Sequence, residues 1–204
     1  MNSSLYRLFG LMALWGVMAS LAGYFKLFIH LPAFAVPVLV AALTVAFSLA
    51  LRRVDWLRKA TATLGARGLV APHVVRFVGG LFLWLQAQGR LPAEFAQAAG
   101  WGDIAVAVGA VALLVWPERR GFQRALVSWN VLGALDLLIA IGIGGWLNVV
   151  CPGSMIELAG FPLTLVPLWL VPILLSSHLL MLQQFRTDHG ASTARRPETS
   201  GTLA

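Results

Sequence analysis

The chain is poor in charge. Of its 204 residues only 11% are Asp, Glu, Lys or Arg, with 8 acidic residues in all, while 59% are hydrophobic. A soluble domain carries about 25% charged and 45–50% apolar residues. That class is excluded, and an integral membrane protein remains. Cysteine is nearly missing too. The single Cys151 rules out an intramolecular disulfide and any cysteine-cluster metal site, and it reads as a small loop residue. HExxH, a nucleophilic-serine motif and a carboxylate pair are all lacking, which makes an enzyme the lesser expectation. The net charge of +7 is spread between apolar segments and in the tail and forms no basic binding module, so nucleic acid is not an expected partner.

What the chain has is long apolar runs. About twenty such residues cross the roughly 30 Å hydrocarbon layer. Six segments read as spans, at 8–25, 33–51, 69–87, 101–116, 126–145 and 162–182. The predicted fold is all-α, a polytopic transmembrane bundle over residues 1–185. A polar tail at 186–204, without apolar periodicity, is expected to be disordered. Ser20 and Ala22 make a passable signal-peptidase site, but the first run continues into Tyr24, Phe25 and Lys26, an interface anchor, so the helix is expected to be retained. Between the second and third spans, Val54, Leu57, Thr61 and Leu64 share one side, as in a short amphipathic surface helix, with a solvated loop as the other reading. Pro92 suits the start of a short interfacial helix over 88–100, with Asp103 then capping the fourth span or lying in its first turn. Ser154 and Glu157 have the spacing of a capping box.

Basic residues orient the bundle. Twelve of the fifteen lysines and arginines lie in the N-terminus, the loops at 52–68 and 117–125, and the tail, against Lys26 and Arg90 on the other side and Arg76 within the membrane. Such asymmetry predicts cytoplasmic N- and C-termini in a cell inner membrane. Trp56, Trp101, Trp116, Trp129 and Trp146 fall at or beside predicted span ends, as an aromatic belt requires.

The informative residues are the polar ones inside the spans. Asp136 sits within the fifth, where an unpartnered carboxylate costs a few kcal/mol. At about 1.5 Å of rise per residue, His73, Asn130 and His178 each lie about 6 Å in from the cytoplasmic side, with Arg76 at about 10 Å and Asp136 at about 15 Å. This predicts an outer layer of hydrogen-bonding side chains and an inner Arg76–Asp136 ion pair. His73 and Arg76 are three apart and share a face, while Asn130, Gly133, Leu137, Ala140 and Gly144 form a stripe whose small residues permit close packing. The candidate site is therefore His73, Arg76, Asn130, Asp136 and His178, with Asp103 a secondary member. Taken singly, each has a plain packing role: an ion pair holding two helices, an interhelical hydrogen bond, a satisfied core histidine. Their convergence is what points to a site.

The pattern R..GG.FLWL…GRLPAEFAQAAGWGDIAV, followed by WNVLGALDLLIAIGIG and FPLTLVPLWLVPILLSSHLLML, resembles a group of small bacterial multi-pass membrane proteins without assigned function. The likeness covers about residues 76–182. It implies a bacterial membrane protein in which Arg76, Asp103, Asn130, Asp136 and His178 belong to the motifs, and it implies no activity. From the residues, the first expectation is binding or transport of a small solute or ion, since intramembrane charges and proline-interrupted helices are common in transporters. A second is a redox protein with His73 and His178 as ligands of a b-type haem or a metal ion. A third is a structural or assembly partner with no ligand at all, and under each reading the lipid bilayer is a partner.

Overall fold

The structure is a computed structural model describing residues 3–29, 31–32 and 34–194, with side chains to Phe185. Its described residues form helices joined by turns, and six helices are long and apolar enough to cross a membrane. They fit a multi-pass membrane protein. The chain runs through α1 (Ser3–Tyr24), α2 (Ala35–Arg53), α3 (Asp55–Val70), a 3₁₀ helix (Ala71–Val78), α4 (Gly79–Ala87), α5 (Ala93–Val115), α6 (Phe122–Val150), a 3₁₀ turn (Ile156–Ala159), a π-helical turn (Val166–Leu170) and α7 (Val171–Ala194). The tail expected from residue 186 continues α7 as helix to Ala194, and its remainder lies outside the described residues, as do residues 1, 2, 30 and 33.

The interior inverts the soluble pattern. Leu14, Met18, Leu132 and Val115 face outward, whereas His73, Arg76, Asn130, Ser176 and His178 are buried. In hydrocarbon an apolar side chain gains nothing by being inside, while a polar one gains a partner. Two apolar clusters bracket this polar layer. One gathers Leu69, Leu126, Trp129 and Met181, the other Phe82, Phe95, Leu147 and Met155.

Several boundaries differ from those read along the chain. α5 begins at Ala93 and not at Trp101. Residues 93–99 are mostly alanine with Glu94 and Gln97, good helix formers, so the helix extends unbroken from Pro92 and no separate interfacial helix forms. Asp103 is thereby neither a cap nor a first-turn acid, because it lies about 15 Å into α5. Residues 55–64 are helical and bury Leu57, Ala60 and Thr61 against Leu8 and Leu51, which excludes the loop reading. They join the third span through Gly65, whose φ of 62° and ψ of −175° suit glycine alone. Ser154 and Glu157 do not form a capping box. Ser154 donates to the Leu147 carbonyl at 3.4 Å, and Glu157 takes a two-pronged contact from Arg90 at 2.7 and 3.1 Å. Nor do all five tryptophans form a belt. Trp129 is buried with its indole N–H on the Val106 carbonyl at 2.9 Å, and Trp101 faces outward in the middle of α5.

Candidate functional site

The site is built on the 3₁₀ helix Ala71–Val78. Three residues per turn place side chains at i and i+3 directly above one another, so His73 and Arg76 point inward together and both are fully buried. Pro72 stands at its start and lacks a backbone donor, which favours departure from α-helical bonding here.

Arg76 binds three groups from two other helices. Its Nε donates to Asp103 Oδ1 at 2.6 Å, its Nη1 to the Gly133 carbonyl at 3.1 Å, and its Nη2 to Asp136 Oδ2. The expected Arg76–Asp136 pair is thus a triad, and Asp103 and Asp136 are the carboxylate pair that no sequence spacing displayed. A carboxylate bonded to arginine through aligned N–H groups is the stable way to hold such charges out of water. Close approach makes room for it: a β-carbon built on Gly102 would collide with the Asp136 carboxylate.

A second polar layer lies beside the first. Ser177 donates its proton to the Leu174 carbonyl at 2.7 Å, so it must accept from His73 Nε2, also at 2.7 Å. Asn130 Nδ2 donates to the His178 carbonyl at 3.1 Å, which turns its oxygen toward His178 Nδ1 at 2.7 Å. Each histidine therefore carries its proton on the bonded nitrogen, leaving His73 Nδ1 and His178 Nε2 bare and buried without a partner. The imidazole centroids are 4.2 Å apart, and Trp129 meets the two rings at 5.0 and 5.4 Å. A β-carbon on Gly133 would lie 2.7 Å from His178 Cε1; only glycine lets α6 approach this ring.

This geometry does not fit the redox reading. Rings whose centroids are 4.2 Å apart are in van der Waals contact, so no porphyrin can pass between them as axial ligands demand. Among the described residues no group of three His, Cys, Asp or Glu side chains is arranged to hold a metal ion. In this arrangement His73 and His178 do not flank a haem.

A cavity of about 270 Å³ reaches inward from the end of the bundle formed by residues 28–37 and 148–159, the end away from the loops at 52–68 and 117–121. Phe95, Ala99 and Asp103 line it from α5, Leu137, Ala140, Gly144 and Asn148 from α6, and Val36, Pro37 and Val40 from α2. Asp103 and Leu137 lie deepest along their helices. Its size is close to the lower limit of small-molecule pockets, about 300–1,000 Å³.

The structure brings His73, Arg76, Asn130, Asp136 and His178 together with the secondary candidate Asp103, and adds Ser177 and Trp129. Ser177 follows Ser176 and precedes His178 in the chain but points to another face of the helix, and it serves His73 from there. Nothing in the sequence marked the cavity, because its walls come from the two bundle-end connections, the π-helical turn and the helices α2, α4, α5, α6 and α7.

Residues 33–186 match the domain of unknown function DUF8737. That is most of the chain, and the protein belongs to this family. No curated protein and no solved structure matches it.

Proposed function

We propose, for a chain whose family brings no activity with it, that the protein binds a small solute within the membrane and carries it across, using the cavity and the polar residues at its inner end. The observation that carries this reading is Arg76 held between Asp103 and Asp136, about midway along its helices, with Asp103 also lining a cavity that reaches the surface. Ionisable residues at such depth are retained where they serve a pathway. A purely structural pair would have no need of a cavity beside it. The two interruptions of regular helix, the 3₁₀ helix at Ala71–Val78 and the π-helical turn at Val166–Leu170, flank the site. Broken helices beside a midplane site supply the hinge that alternating access requires.

In this reading the bundle sits in the cell inner membrane with both termini and the arginine-rich loops in the cytoplasm. The cavity then opens on the far side, and the histidine layer separates the triad from the cytoplasm. Conversion of His73, Ser177, Asn130 and His178 to a second arrangement would open the other half of the path.

The test is mass spectrometry of small molecules extracted from the purified full chain in lipid nanodiscs, compared with Ala140→Phe, which fills the cavity and leaves the triad alone. The expected result is a compound present in stoichiometric amount with the parent and missing from the variant. If neither protein carries one, and cells expressing the parent and the variant accumulate the same solutes, the triad is a packing device and the solute reading falls.

A further inference from the structure

The charge balance at the inner end of the cavity narrows the class of solute, on the premise that the cavity is the binding site. Arg76, Asp103 and Asp136 together bring two carboxylates and one guanidinium. Fully ionised, the group carries one excess negative charge in a region of low dielectric, where an uncompensated charge is costly. All three donor positions of Arg76 that make contacts are committed within the protein, and Arg76 does not line the cavity. An anion therefore meets no cation there.

Asp103 does line it. Only its Oδ1 is engaged, by Arg76; Oδ2 has no hydrogen-bond partner among the described residues, although the residue is only 7% exposed. It is also the one charged residue among the described residues lining the cavity, whose walls are otherwise mostly apolar, with Asn148 and the buried Thr164 hydroxyl as the further polar side chains. A bare metal ion is a poor fit, because hard cations need six or more oxygens and this surface offers one carboxylate oxygen at depth. We infer that the cavity takes a small organic cation, an ammonium group on an apolar body, seated with its charge on Asp103 Oδ2 and its body against Leu137, Ala140 and Phe95. The apolar walls take the body by burial, and the ammonium neutralises the excess charge of the triad.

Three probes of one shape test this: benzylammonium, benzyl alcohol and benzoate, titrated calorimetrically at neutral pH into the full chain in nanodiscs, with empty nanodiscs as the blank. Benzylammonium is expected to bind at least about tenfold tighter than benzyl alcohol, equivalent to about 1.4 kcal/mol, with benzoate weakest. Asp103→Asn is expected to abolish that preference. If that variant fails to fold, Ala140→Phe, with the triad intact, is expected to lose all three probes. Equal binding of the three by the parent overturns the cation inference and leaves a solute site standing. Benzylammonium that binds no better than the blank, or that still binds Ala140→Phe, also overturns it. Whether the solute reading fails with it is decided separately by the co-purified compound.

Discussion

At the scale of single residues the site is ordered by who depends on whom. Arg76 is the hub, and Arg76→Ala leaves two facing carboxylates without their counter-charge, a loss expected at about 3–5 kcal/mol. Asp136→Ala is milder, because Arg76 and Asp103 remain as a balanced pair at 2.6 Å; the loss is expected at about 1–3 kcal/mol. Unfolding of the two variants in mixed detergent should show that order, and equal losses would mean that Asp103 does not share the guanidinium. A different mechanism governs Gly133. Its added β-carbon in Gly133→Ala would press on His178 at 2.7 and 2.8 Å, and overpacking of this kind costs about 1–3 kcal/mol. The same unfolding measurement reports it, with Gly142→Ala, which meets nothing within 4 Å, as the control that should not move.

At the scale of elements, the departures from α-helix decide the geometry. Gly65 turns the helix 55–64 away from the third span, so that Leu57 and Ala60 reach Leu8 and Leu51 while Leu69 and Val70 reach the main bundle. Gly65→Ala forces an L side chain into a conformation that only glycine adopts readily and should cost about 1–3 kcal/mol, with no change in the contacts of Arg76. The measurable sign is a lowered unfolding midpoint together with unchanged binding of whatever the cavity holds; parent-like stability would mean that the break is not required. The 3₁₀ helix does a separate job. It stacks His73 on Arg76, whereas an α-helix would rotate one about 60° from the other, and α7 meets His73 through Ser177 and His178.

At the scale of the whole molecule, the question is orientation. The segments at 52–68 and 117–125 share an end of the bundle with the N-terminus of α1, and the cavity opens at the other. In the proposed orientation, positive-inside bias puts the arginine-rich end in the cytoplasm. A green fluorescent protein fused after Ala204 should therefore fluoresce, and alkaline phosphatase inserted at Gly153 should be active. The reverse pair of outcomes would place the cavity on the cytoplasmic side and invert the proposed direction of access. Arg67, reaching the Trp116 carbonyl at 2.9 Å, ties the two ends of that face together.

The sequence by itself determined six apolar spans, matched among the described residues by six helices long and apolar enough to cross a membrane, and which polar residues fall at similar positions along them. Helix rise and the thickness of the hydrocarbon layer are fixed lengths, so position along a span reads directly as depth. It predicted that His73, Asn130 and His178 lie at one level and Arg76 and Asp136 near another. Only the tertiary structure decided rotation and partnership: that Asp103, moved to mid-helix by eight further residues at the start of α5, shares Arg76; that Ser177 answers His73 and Asn130 answers His178; that the two imidazoles touch instead of flanking a cofactor; and that Trp129 belongs to the core. Those outcomes depend on how six helices turn about their own axes and how closely glycines let them approach, and a linear count of residues holds neither quantity.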